Sequence, residues 1–440
     1  MTTASETQAY PCPARARHAQ VLLVVIALFT AMDVYVISLL LEPIKLDLGL
    51  TDVEVGLANT SVLYGAYALF CLPMGILADR RNRIGLLAGA MILWCLGLVL
   101  TALSTGLWLL VLSKVLLGIA NAVTLPASMS LLGDYFPPER RALATSSYGM
   151  GQSIGQSAAI LVGGIGLGAL QKAGAGDPQM LFGLHPWRVL SLAFAAAGLV
   201  LVPLLLTVRE PARMEVREAR GGSFREVWAY RAFLLPLLAG TMFIAGAATA
   251  VLSWIPPALT RLYGQSPADF AGWFSAVSLV AGLAGMFAGA KLVEFFQRRA
   301  GGQSILLPAA LAALICAPTA FVATMPGLPS FAACALVFIV AYAIVISVPV
   351  ISINLRMPNE LRGAVMGLYV ITVSLAGAFA APLVAVTGGW LGGDHMLGRG
   401  MALVGGTCSL LAAVSFWRAA SPAPSSPTRP ITRPVTQGGS

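Results

Sequence analysis

Gly75-Ile76-Leu77-Ala78-Asp79-Arg80-Arg81-Asn82-Arg83 is a short charged turn wedged between two long apolar segments. Only 10% of the 440 residues are Asp, Glu, Lys or Arg, yet four of them fall between Asp79 and Arg83. A turn of this length cannot hold a domain. It joins two adjacent membrane helices on the side where positive charge collects.

The composition supports the same reading. Hydrophobic residues make up 58% of the chain and the mean hydropathy is +0.84. A soluble domain carries about half apolar and about a quarter charged residues. Many segments run about 20 residues almost without charge, the length a helix needs to cross the hydrocarbon core. The alternating, roughly 10-residue pattern of a membrane β-barrel is absent. The chain therefore reads as an all-α integral membrane protein with twelve transmembrane helices in two six-helix bundles. The spans are expected at 20–41, 55–78, 84–104, 107–133, 142–168, 187–208, 232–258, 269–293, 303–324, 328–355, 361–388 and 398–418.

The halves are expected at 19–208 and 232–418. A cytoplasmic N-terminal tail covers 1–18, a charged cytoplasmic linker 209–231, and a disordered cytoplasmic tail 419–440. The linker alternates in sign and reads as solvated, with an interfacial helix as the alternative. Charge asymmetry sets the orientation. One side collects Arg80, Arg81, Arg83, Arg140, Arg141, Arg298, Arg299, Arg356 and Arg362, while the other holds Lys45, Lys172, Arg188, Arg261 and Arg399. Both termini are thus placed in the cytoplasm, and the net charge of +9 reflects orientation rather than nucleic-acid binding. The first apolar run is too long for a cleaved signal, so a multi-pass inner (plasma) membrane protein is expected.

The six cysteines have no metal-ligand or disulfide spacing. His18, His185 and His395 fall outside the spans. No catalytic triad, metal cluster or phosphate-binding loop stands out, so the chain reads as neither an enzyme nor an ATP-driven pump, with no cofactor and no metal. A monomer is expected.

Four features together resemble the major facilitator superfamily: the Gly75–Arg83 loop, the twelve spans, the central linker, and a weaker echo at Gly289, Glu294, Arg298 and Arg299. The resemblance implies the major facilitator fold and alternating access between the bundles. Gly75 would permit close helix packing. Asp79, Arg80 and Arg83 would form a gating cluster that shuts the cytoplasmic end, with Asp134 as partner at the end of span four. Within the superfamily the chain is most similar to the spinster-type branch. That similarity rests on Trp108 to Ala122, on Gly133-Asp134-Tyr135-Phe136-Pro137, on Trp187-Arg188 and on Trp254-Ile255-Pro256. Spinster-type proteins commonly carry an Asp-Arg pair in span one, a Glu in span four and an Arg where this chain has Lys114. Here Asp33 is followed by Val34, and Asn121 stands at the Glu position. A cation and an anion are missing together, which leaves neither charge unpaired. A lysolipid substrate and that branch's full proton machinery are therefore not carried over.

Asp33, at the middle of span one, is the leading candidate for coupling, because an acid at helix centre costs about 2.5–3.5 kcal/mol to insert and ordinarily faces a cavity. It lies roughly 20 Å from the inner end of its span and Lys114 roughly 18 Å, at 1.5 Å per residue. The two are expected to pair with each other or with proton and substrate, the alternative being a static packing pair. Lys114 by itself could bind an anionic head group. Asn121, Gln152 and Gln156 could hydrogen-bond a solute, with packing as the alternative. Tyr64, Tyr67, Trp254, Tyr342 and Tyr369 could supply aromatic walls. With no acid or base near the middle of the second half, a small amphipathic or anionic organic solute is expected. Transport would be secondary and proton-coupled. A passive facilitator and a non-transporting receptor or sensor are the rivals.

Overall fold

The computed structural model describes residues 10–176, 183–213, 224–300, 305–393 and 396–420. Among these residues every regular element is helical, and twelve helices are long and apolar enough to cross a membrane. They are α1 Pro13–Leu48, α2 Asp52–Arg80, α3 Arg83–Ala102, α4 Leu107–Tyr135, α5 Pro138–Gly176 and α6 Pro186–Leu206 in the first half. In the second half they are α7 Arg231–Tyr263, α8 Pro267–Ala300, α9 Leu307–Thr324, α10 Leu328–Arg356, α11 Asn359–Trp390 and α12 Leu397–Ala420. In hydrocarbon every backbone N–H and C=O must be satisfied within the protein, and a helix does this within its own segment.

Helix ends follow local chemistry. Gly49 stops α1 in the left-handed conformation at φ 64°, which costs a residue without Cβ little. Thr51 and Glu54 then start α2 with a reciprocal capping box. Asn82 caps α3, its Oδ1 accepting from the Gly85 amide at 2.7 Å. That cap turns the chain sharply after Arg80. In α7, Pro256 and Pro257 lack the amide that would continue the ladder, so the helix breaks at Trp254 and restarts at Ile255.

Each half buries its own core. One apolar cluster draws on residues from Ala16 to Val208. The other spans Val227 to Ala419 and takes in Leu39 and Ile160 of the first half. Those two residues mark where the bundles touch. A Cβ on Gly164 of α5 would sit 2.6 Å from the Ala271 Cβ of α8, and one on Gly168 would sit 2.6 Å from the Ala268 Cβ. Ser61 of α2 donates to the Ala378 carbonyl of α11. At the opposite, arginine-rich end, the Cβ positions of Gly75 on α2 and of Gly363 and Gly367 on α11 have nothing within 4 Å, and further into the membrane that of Gly149 on α5 is equally open. The bundles are therefore closed at the Gly49 end and parted at the Gly75 end.

Between the halves the described chain holds the Arg209 to Arg213 segment and a short helix, Phe224–Ala229. The middle of the expected linker lies outside the described residues, as do residues 1–9 of the N-terminal tail, His395 and the tail from 421 onward.

Candidate functional site: a cavity between the bundles

Two adjoining chambers lie between the bundles, with volumes of about 410 and 200 Å³. They share Val34, Tyr35, Leu63 and Tyr64. The larger is lined by Thr30, Tyr67, Asn121, Thr124, Gln152 and Gln156, with Met286 from the second half. The smaller is lined by Asn59 and Thr60 and, across from them, by Thr249, Ser253 and Tyr342. Among the described residues no Asp, Glu, Lys, Arg or His lines either chamber.

Two side chains in these walls lack partners. The Asn121 amide nitrogen makes no hydrogen bond, and neither polar atom of the Asn59 amide makes one. Both residues are buried. Buried polar groups are paired in the great majority of cases. An orphaned amide on a cavity wall is therefore available to whatever fills the cavity.

Six residues expected in the binding site are brought together here: Tyr64, Tyr67, Asn121, Gln152, Gln156 and Tyr342. Two aromatics lie elsewhere. Trp254 is buried and donates its indole N–H to the Ala381 carbonyl at 3.1 Å, packing beside Gly56 and Pro382. Tyr369 donates its hydroxyl to the Ile346 carbonyl at 3.2 Å. Tyr35, Asn59, Thr60 and Thr124 line the cavity and were not singled out from sequence. Tyr35 and Asn59 carried a usable signal, because each is a polar group within an apolar span.

Asp33 and Lys114 meet away from this cavity. Both are buried and line a separate pocket of about 10 Å³ inside the first bundle, together with Thr101, Ser191 and Phe194. No ion pair within 4.0 Å joins them among the described residues, and Asp33 Oδ2 and the Trp94 indole N–H face one another without closing a hydrogen bond within 3.5 Å. Successive residues of a helix are rotated about 100° apart. Val34 and Tyr35 therefore face the central cavity while Asp33 faces the bundle interior. One turn of α1 presents an acid to one side and the cavity wall to the other.

The gating residues expected from the loop are arranged differently among themselves. Arg83 is fully buried. It pairs with Asp134, donates to Glu210 Oε1 at 2.6 Å and to Ser130 Oγ at 2.9 Å, and reaches the Pro211 carbonyl at 3.4 Å. Asp134 and Ser130 belong to α4, and Glu210 and Pro211 to the segment after α6, so this cluster ties α3, α4 and that segment to one another. Asp79 and Arg80 are exposed. The backbone carbonyls of Ala78, Asp79 and Arg81 accept from the Arg213 guanidinium, which caps the end of α2. Gly75 faces open space. These contacts exist with the arginine-rich end parted.

A cross-bundle charge cluster sits at the other end. Arg261 of α7 donates to Glu42 Oε2 at 2.7 Å and to both Asp52 oxygens at 2.7 Å, and Lys45 lies 2.8 Å from Asp52 Oδ1. Two cations balance two anions, with every member largely shielded from water. Beside it, within the first half, Asp47 accepts from Arg188 at 2.7 Å and lies 2.9 Å from His185 Nε2. The Asp52–Arg261 pairing was not anticipated from sequence; its signal was the acids Glu42, Asp47 and Asp52 gathered on a side with little charge.

The Major Facilitator Superfamily pattern matches residues 23–382. The chain is 25% identical over 421 residues to an MFS-type efflux pump of Mycolicibacterium smegmatis, covering 93% of this chain and 94% of that one. It is 25% identical over 259 residues to "Probable anion transporter 4, chloroplastic" of Arabidopsis thaliana, of whose length it spans 48%. Among solved structures it is similar to a bacterial homologue of the human lysosomal transporter Spinster in an inward-facing, occupied conformation. The TM-score is 0.74 with 22% identity, covering 93% of this chain and 96% of that one. It is also similar to a D-xylose–proton symporter, with a TM-score of 0.67 and 18% identity, covering 91% and 97%. At these identities the structures bear on fold alone. Twelve helices in two bundles around a central cavity, and a family match over most of the chain, make this protein a member of the major facilitator superfamily.

Proposed function

We propose that the chain is a secondary active transporter that moves a small, neutral, amphipathic organic solute by alternating access. The carrying observation is the central cavity: apolar and aromatic surface, hydroxyls and carboxamides, and two orphaned amides, with no charged lining among the described residues. An uncharged wall gives no counter-ion to an anion whose hydration it removes, and that removal is costly. Neutral solute is therefore preferred over anionic. The match to an efflux pump along nearly the whole chain supports export.

The arginine-rich end is assigned to the cytoplasm by the positive-inside rule, which makes the present conformation inward-open. Glu42, Asp52 and Arg261 are its outer gate. Asp33 and Lys114 are assigned to proton coupling. Because they lie behind α1 rather than in the cavity, coupling would run through that helix: solute against Val34 and Tyr35 shifts α1, and the shift changes the surroundings of Asp33.

Reconstituted protein tests this. A neutral amphipathic fluorescent probe and its carboxylate analogue would be followed in proteoliposomes with and without a pH gradient. Faster transport of the neutral probe, accelerated by the gradient in wild type and indifferent to it in Asp33→Asn, is the expected result. Transport indifferent to the gradient in wild type makes the protein a passive facilitator. Saturable binding without flux makes it a receptor.

A further inference from the structure

We infer that the protein holds the headgroup of an anionic phospholipid in a cationic pocket at its arginine-rich end, outside the transport path. The pocket has a volume of about 270 Å³ and is walled by Arg15 and His18 of α1, Tyr135 at the end of α4, and Thr207, Val208 and Arg209 after α6. Arg15 and Arg209 are exposed and make no ion pair among the described residues. The neighbouring acid, Glu210, is engaged by Arg83 and the Ile84 amide. It is turned toward them and does not line the pocket.

The remaining polar groups are already oriented. Thr207 donates its hydroxyl proton to the Leu204 carbonyl at 2.6 Å, so His18 Nε2 is the donor in its 2.8 Å bond to Thr207 Oγ1. Tyr135 donates to the Arg209 carbonyl, which fixes the backbone carrying that guanidinium. Two guanidiniums left over around a cavity of this size suit a phosphate, which arginine can meet with two parallel hydrogen bonds.

A lipid phosphate is favoured over a free one by what lies beneath the pocket. Along α6 the next residues toward the membrane centre are exposed and apolar: Leu199, Val200, Leu204 and Leu206, 43–61% exposed, with Val21 of α1 60% exposed beside them. α1 has 36 residues and at 1.5 Å per residue is about 54 Å long, far more than a hydrocarbon core of about 30 Å. Its first turns, with Arg15 and His18, therefore rise to headgroup level while Val21 begins the apolar track. Cationic pockets at helix ends over acyl-chain surface are suited to anionic lipids.

Native mass spectrometry of the full chain would test this, using phosphatidylglycerol, phosphatidylcholine and inorganic phosphate as probes. Phosphatidylglycerol is expected to bind in preference to phosphatidylcholine. Arg15→Gln and Arg209→Gln are each expected to weaken it about fivefold. Arg17→Gln removes an equal charge from the same turn, outside the pocket, and is expected to change little. Arg209→Lys keeps the charge but loses the two parallel hydrogen bonds, and checks that any loss is not misfolding, since it should bind more tightly than Arg209→Gln and less tightly than wild type. Equal weakening by Arg17→Gln, equal affinity for phosphatidylcholine, or inorganic phosphate binding as well as the lipid would each overturn the inference.

Discussion

Arg83 decides the local structure of the first bundle. Its guanidinium is fully buried and satisfied by Asp134, Glu210, Ser130 and the Pro211 carbonyl. Removing one partner of a buried ion cluster strands the others, at a cost of about 3–5 kcal/mol. Arg83→Ala is therefore expected to lower the thermal unfolding midpoint sharply. Arg83→Lys should recover only part, because one ammonium cannot serve partners spread around a planar fork. Detergent-solubilised protein followed by tryptophan fluorescence would measure both. An unchanged midpoint in Arg83→Ala would remove the cluster from the account of stability. Asn59 and Asn121 behave in the opposite way. Their amides are unpaired in the folded chain, so Asn59→Ala and Asn121→Ala should leave unfolding unchanged. If each makes one hydrogen bond to solute, KM should rise about five- to tenfold, corresponding to about 1–1.5 kcal/mol. A midpoint that falls while KM stays fixed would make them packing residues. Asp33 shows what a residue-level reading of sequence can and cannot reach. Charge is so scarce in this chain that Asp33 and Lys114 stand out at once, and depth arithmetic places them in one layer. Which way the helix is rotated does not follow from that scarcity. One position along, Val34 looks into the central cavity while Asp33 looks into the bundle.

At the scale of elements, apolar runs reveal helices well but mark their ends only where the membrane ends. The first span was expected at 20–41, yet α1 runs Pro13–Leu48. Its additional turns are polar and carry no hydropathy signal, although they place Arg15 and His18 against α4 and α6. Contacts between elements distant in sequence are hidden for another reason: Arg261 is separated from Asp52 by five helices of the first bundle, the linker and most of α7. This bridge joins α1 and α2 to α7 and is the described charge cluster that crosses the interface. Arg261→Glu would set three acids against Lys45 at the closed end, and like charges held together repel strongly at shielded sites. The expected outcome is opening at that end, read as a longer distance between spin labels on α2 and α11 there. Combining Arg261→Glu with Asp52→Arg should restore only part of the short distance, since the exchanged pair leaves an acid facing Glu42 and a cation facing Lys45. Failure of the single variant to lengthen the distance would show that apolar and glycine contacts hold this end without help from charge.

For the whole molecule, alternating access requires two sets of close helix contacts, of which one is made at a time. Gly164 and Gly168 make one set, lying against Ala271 and Ala268 where a side chain would not fit. Gly149, on the same helix α5 and nearer the arginine-rich end, has nothing within 4 Å of its Cβ position, and Gly363 of α11 is equally open. A bulky residue at Gly149 or Gly363 therefore costs little in the present conformation, beyond loss of a glycine that suits the opposite state. That argument separates two effects that usually come together. Gly149→Leu and Gly363→Leu should fold with unchanged or higher unfolding midpoints, because the replaced glycine is helical and leucine has the better propensity, by roughly 0.8–1 kcal/mol. Gly363→Leu should nonetheless lose transport, because the parted end can no longer close; Gly149 also lines the larger chamber, so Gly149→Leu should lose it by filling that space as well. Gly164→Leu should behave oppositely, destabilising the present state by forcing α5 from α8. Spin-label distances would then shorten at the arginine-rich end for Gly164→Leu and stay long for Gly149→Leu. Full transport by Gly149→Leu would mean that α5 does not approach the second bundle at that end. The rocking of one bundle against the other would then have to turn about a different set of helices.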